Sequence, residues 1–117
     1  MTKEYISVTR IGPFTLGEKP EPLQITIQDF DGNAVSLSSY TAKFVIESVD
    51  QTVNGLGEGT SEIVTPASGI TRYNWAVSDF TTAGFYRGQM WVGNGTYRYA
   101  SDIFEWFVRD LTTAPSI

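Results

Sequence analysis

With 117 residues, 41% of them hydrophobic and 14% aromatic, the chain has the length and composition of one globular domain. It contains no Cys and no His, which removes cysteine nucleophiles, Ser-His triads, disulfide frameworks and nearly all zinc or copper sites. Eight basic against thirteen acidic side chains leave a net charge of −5, a field that repels phosphate backbones and argues against a nucleic-acid partner.

The N-terminal Met1-Thr2-Lys3-Glu4-Tyr5 carries both signs of charge and no apolar run, so it does not read as a signal peptide. No stretch approaches the ~20 apolar residues that span a bilayer, and the chain is expected to be made in a cytoplasm without a membrane partner. Residues 5–11 alternate weakly through Tyr5, Ile6, Val8 and Ile11, and three prolines between Pro13 and Pro22 make the following connection stiff. Together they predict an N-terminal arm over 1–22 with a weak first strand. Leu23, Ile25 and Ile27 alternate against Gln24, Thr26 and Gln28, the period of a half-buried strand. Asp31-Gly32 predicts a hairpin turn, with Val35 and Leu37 continuing the apolar face. Ala42, Phe44 and Ile46 form the next inward row.

Asp50 to Gly59 is expected to be a flexible, Gly-rich loop, followed by a strand near Thr60–Val64 and a turn at Pro66–Gly69. Thr71, Tyr73 and Trp75 then point inward, with Trp75 as a core plug. A corner over Ser78–Gly84 leads into a strand with Tyr86, Gly88, Met90 and Val92 on one face. Gly93-Asn94-Gly95 turns the chain onto a long last strand from Thr96 to about Arg109, and 110–117 is a tail. Short alternating segments with turn residues every 8–12 positions predict an all-β antiparallel β-sandwich over 23–109, of about seven to eight strands and without a disulfide.

Thr82-Ala83-Gly84-Phe85-Tyr86 enters a strand with the spacing of the tyrosine corner of immunoglobulin-like domains, and it resembles that motif in Thr82, Gly84 and Tyr86. Gly88 stands where antibody domains carry a Cys. A wider resemblance runs from Leu23 to Val108. It is carried in order by Leu23-Gln24-Ile25-Thr26-Ile27, Asp29 to Leu37, Tyr40 to Phe44, Gly69 to Trp75, Thr82 to Tyr86 and Ser101 to Val108. This arrangement resembles the immunoglobulin-like N-terminal domain of tailed-phage baseplate upper proteins and related small stand-alone virion proteins. The resemblance implies an immunoglobulin-like fold and a non-enzymatic structural role. The implied partners are capsid or tail proteins, with homo-oligomers on the virion. It also implies that the chain resides in the virion after assembly in a host cytoplasm. Baseplate upper proteins continue into a helical region, whereas this sequence ends soon after its last strand; capsid decoration is therefore preferred over a tail or baseplate accessory role.

Candidate sites divide by chemistry. Asp29, Asp31 and Asn33 have alternating oxygens but lack the Gly and the bidentate acid of a Ca²⁺ loop, so they read as turn residues and no metal or other cofactor is expected. Asp29, Asp31, Asp79 and Asp102 fall mostly in turns rather than across a cleft, which argues against paired-carboxylate catalysis. The aromatic residues carry more information. If Tyr86, Met90 and Val92 face inward, then Phe85 and Trp91 face outward; Ile103 and Phe107 do so on the last strand, with Tyr97 and Tyr99 near the hairpin tip. These six form the expected interface: either an N-terminal or 50s segment folds over them, or they anchor a protein partner. The alternative function is a carbohydrate-binding module stacking sugars on Trp91, Tyr97 or Tyr99.

Overall fold

A computed structural model describes residues 8–50, 52–110 and 114–117. Among them, ten strands form two sheets: β1 (Val8–Arg10), β2 (Phe14–Thr15), β3 (Leu23–Thr26), β4 (Thr41–Ser48), β5 (Asn54–Leu56), β6 (Thr60–Thr65), β7 (Ile70–Asn74), β8 (Gly84–Gly93), β9 (Arg98–Ala100) and β10 (Ile103–Arg109). The large sheet runs β1-β10-β8-β4-β5, with β2 also on β10 and β9 also on β8; the small sheet runs β3-β7-β6. All pairings are antiparallel except β1 and β2, which lie parallel to β10. The protein is an all-β sandwich.

The strand count exceeds the expected seven to eight because three segments behave differently from their sequence pattern. Pro13 offers no N–H to a ladder, and it falls between β1 and β2, which pair with successive stretches of β10. The long last strand is interrupted at Ser101, whose buried hydroxyl accepts from the Met90 N–H at 3.0 Å and donates to the Asp102 carbonyl at 2.8 Å. The expected 50s loop contains β5, which extends the large sheet beyond β4. Two of the glycines there, Gly57 and Gly59, serve packing rather than looseness: a Cβ on Gly59 would come within 1.9 Å of the Asn74 carbonyl oxygen. Beyond the Asp31-Gly32 turn, one isolated bridge, Gln28 to Ala34, replaces the expected strand. Leu37 is nonetheless buried, because its N–H is held by the Pro66 carbonyl at 2.8 Å.

Inward alternation builds the core as the pattern requires. Ile25, Ile27, Phe44, Ile46, Tyr73, Trp75, Tyr86, Met90, Val92, Trp106 and Val108 are all buried. At its centre Phe44 of the large sheet stacks on Tyr73 of the small one at 4.4 Å and meets Trp75 edge-on at 5.9 Å. Trp106 stacks on Tyr86 at 6.0 Å and packs edge-on against Trp75 at 5.3 Å. Gly88 leaves the space these rings fill. A Cβ there would lie 2.6 Å from Phe44 and 2.7 Å from Trp106. Where a disulfide would pin two sheets together, this chain uses interlocked aromatic rings, each pair adding about 0.5–1.5 kcal/mol beyond its area burial.

Of the N-terminal arm, residues 1–7 lie outside the described residues; β1 and β2 run along β10 at the sheet edge. In the tail, 111–113 likewise lie outside them, and Ala114 returns to pack against Gly17.

Candidate functional site

The outer face of the large sheet carries the features that the core does not consume. Along β8 the period of two turns Phe85, Arg87, Gln89 and Trp91 away from the core. Cross-strand register then sets their neighbours: Phe85 opposite Phe107, Arg87 opposite Glu105 and Glu47, and Trp91 opposite Lys43 and Ala100. Arg87 donates to Glu47, and Arg10 pairs with Glu105 at 3.6 Å. These exposed ion pairs form a charged band across the middle of the face, each worth about 0–1 kcal/mol. The band divides the aromatic residues into two groups. Phe85 and Trp91 are separated by about 20 Å, six residues at ~3.3 Å each.

At one end, the Phe85 and Phe107 rings touch at 4.6 Å and remain 63% and 36% exposed. Exposed Val49 extends the apolar surface. A groove of about 370 Å³ opens beside them, walled by Ile11, Gly12 and Pro13 from the β1–β2 connection. At the other end, Trp91 is 38% and Tyr97 61% exposed, and both line a groove of about 340 Å³ with Lys43, Arg98 and the backbone of Gly93. The hairpin tip that carries Tyr97 is clamped by Asn94, whose Oδ1 accepts from the Thr96 and Tyr97 N–H groups at 2.9 and 2.7 Å.

One of the six interface residues turns inward, and another keeps the outer face but lies between the two groups. Tyr99 pairs with Val92 and therefore faces inward; it is half-buried, with its ring 6.3 Å from Tyr40. Ile103 is half-buried beside the charged band, where it lines a shallow depression with Val45 and Gln89. Among the described residues, neither the N-terminal segment nor the 50s segment covers Phe85 or Trp91: β1 extends the sheet sideways past β10, and β5 does so past β4.

At the corner before β8, Tyr86 Oη donates to the Thr82 carbonyl, and Gly84 enters the strand at a φ of 142°. Burial raises the Tyr86 pKa, with the Asp50 charge adding to it. Two of the acids identified in the sequence, Asp29 and Asp79, are committed to local structure. Asp29 Oδ1 accepts from the Asp31 and Asn33 N–H groups at 2.9 and 3.0 Å. Asp79 Oδ2 accepts from Tyr73 Oη at 2.7 Å and from the Ala76 N–H at 2.9 Å, while Oδ1 accepts from the Glu58 N–H at 2.8 Å. Burial, then this bond to Asp79, pushes the Tyr73 pKa well above the ordinary range. Among the described residues no three acids gather where a metal ion could be held, and no helix is long and apolar enough to cross a membrane.

Sequence reasoning missed Lys43, Arg98 and Val49. Alternation around Phe44 placed Lys43 outside, but only the β4–β8 register brings it opposite Trp91. No family model matches the chain, and no curated protein shows significant sequence similarity to it.

Proposed function

We propose that this chain is a non-enzymatic structural component of a tailed-phage virion, an immunoglobulin-like sandwich that docks onto capsid or tail proteins. The observation that carries the docking role is the exposed Phe85–Phe107 pair beside the groove under the β1–β2 connection. Two aromatic rings in mutual contact yet left in water are the kind of rigid apolar anchor that protein interfaces bury. The immunoglobulin-like reading draws support from strand order: β3-β7-β6 corresponds to B-E-D, and β10-β8-β4 to G-F-C. The Tyr86–Thr82 bond supports it at the corner. The virion assignment rests on the ordered resemblance from Leu23 to Val108, and decoration of a capsid fits it. Display in many copies on a lattice turns weak single contacts into firm attachment.

The test mixes purified protein with particles lacking it and follows co-sedimentation. Saturable binding is expected, lost in the double variant Phe85→Ser, Phe107→Ser, while capsid-only and tail-only preparations name the partner. Failure to bind any particle, or binding unchanged in the double variant, overturns the proposal.

A further inference from the structure

We infer that the groove at the β8–β9 end of the large sheet binds an acidic saccharide: a sugar ring lies on Trp91 and Tyr97, and its anionic group faces Lys43 and Arg98. This site is separate from the docking surface, across the charged band, and the inference stands independently of the proposed docking role.

Register builds the groove. Thr41, Gly93 and Arg98 are successive Cα partners across three strands, and Lys43, Trp91 and Ala100 form the next such row. All face outward, because Gly93 and Trp91 lie on the outer side of β8. Gly93 and Gly95 contribute no side chain, so a trough about 340 Å³ in volume opens between taller neighbours. That volume lies within the size range of small-ligand sites.

The lining selects the ligand class. Two aromatic faces supply an apolar platform of the kind that the C–H face of a pyranose covers. Thr41 and Thr96 offer hydroxyls that both donate and accept, matching sugar hydroxyls. Lys43 and Arg98 supply positive charge, and among the described residues no acidic side chain lines the groove. Arg10, Arg72 and Arg87 are each paired with a carboxylate, whereas neither Lys43 nor Arg98 is in an ion pair among the described residues. In a chain of net charge −5, two cations left unpaired beside two exposed aromatic rings form a local reversal of field. Arg recognises a planar carboxylate or a phosphate through its fork of N–H donors. An apolar peptide would desolvate both cations without compensation, and a long nucleic acid would meet the overall negative field. An acidic sugar satisfies the rings and the cations together. The tip carrying Tyr97 is already held by Asn94, so little ordering is needed on binding.

The experiment is a calorimetric titration of the full chain with three probes: an oligogalacturonate, a neutral gluco-oligosaccharide of equal length, and a phosphodiester-linked hexose polymer. Saturable binding to at least one anionic probe is expected, at least about tenfold tighter than to the neutral one, as charge-assisted hydrogen bonds predict, and weakened by salt. Preference for the uronate assigns the charge to a carboxylate, and preference for the polymer assigns it to a phosphodiester. Trp91→Ala should weaken binding to the preferred probe by about tenfold or more. Arg98→Gln should remove the advantage over the neutral probe. Both side chains are exposed, and an unchanged melting temperature confirms that each variant folds. Phe85→Ser, Phe107→Ser should bind sugar as the parent does, which separates this site from the docking surface. No saturable binding to either anionic probe at 10 mM (roughly the weak limit for a specific site), equal affinity for the neutral probe, or binding indifferent to Trp91→Ala and Arg98→Gln overturns the inference.

Discussion

Replacing Gly88 with Ala adds one methyl group between two packed rings of the core. The new Cβ would sit 2.6 Å from Phe44 Cζ and 2.7 and 2.8 Å from two atoms of the Trp106 ring, all inside van der Waals contact. Neither ring is free to retreat. Phe44 is held by its 4.4 Å stack on Tyr73, and Trp106 lies between Tyr86 and the edge of Trp75. Overpacking of a closed core costs about 1–3 kcal/mol, and two immobilised rings put this site toward the top of that range. The entropy that Ala recovers relative to Gly offsets only about 0.5–1 kcal/mol. A net loss of about 2 kcal/mol lowers the melting temperature of a domain this size by about 8 °C. The comparison is Gly93→Ala on the same strand, where the added Cβ meets only ordinary contacts at 3.5 and 3.6 Å, so its melting temperature should change by less than about 2 °C. Thermal unfolding followed by tryptophan fluorescence and circular dichroism measures both. If Gly88→Ala is as stable as the parent, the rings do not interlock over Gly88 and the account of the core is refuted.

Tyr73 makes stability fall in alkali. Its folded pKa is raised by burial and by Asp79, so the neutral hydroxyl stabilises the fold fully below the unfolded value near 10, and that contribution is lost as pH rises above it. Urea unfolding between pH 8 and 12 should show the loss beginning near pH 10, and Tyr73→Phe should reduce its slope, leaving the smaller share that Tyr86 contributes; an equal slope in the variant would contradict the assignment. Asp79→Ala removes the acceptor for Tyr73 Oη and for the Ala76 and Glu58 N–H groups and should cost about 2–3 kcal/mol by urea denaturation. Tyr86→Phe breaks the bond to the Thr82 carbonyl, which water can re-solvate at the exposed corner, and should cost only about 1 kcal/mol in the same assay.

The sandwich was legible in the sequence because alternation carries inside and outside together. Tyr86, Met90 and Val92 turn in, so Phe85 and Trp91 must turn out, and they do. Tyr99 went astray for the same physical reason read without register. The hairpin loop over 94–97 sets Tyr99 opposite Val92, and one residue of offset exchanges the faces of a strand. β5 was hidden because Asn54 and Gly55 have poor strand propensity; its pairing is supplied by β4 rather than by its own side chains. The division of the outer face into two sites was equally out of reach. It depends on Glu47, Arg87, Glu105 and Arg10 meeting across four strands, and nothing in a single strand's pattern specifies its neighbour's charge.

The most direct test of docking through the Phe85 end places a photo-crosslinking amino acid at one surface position at a time and irradiates the protein bound to its particle. Position 85 on the large sheet is compared with position 64 on the small one, where Val64 is also exposed. Crosslinks from position 85 to one capsid or tail protein, with few from position 64, are the predicted result. Crosslinks from position 64 alone, or from neither position, would contradict docking through the Phe85–Phe107 surface.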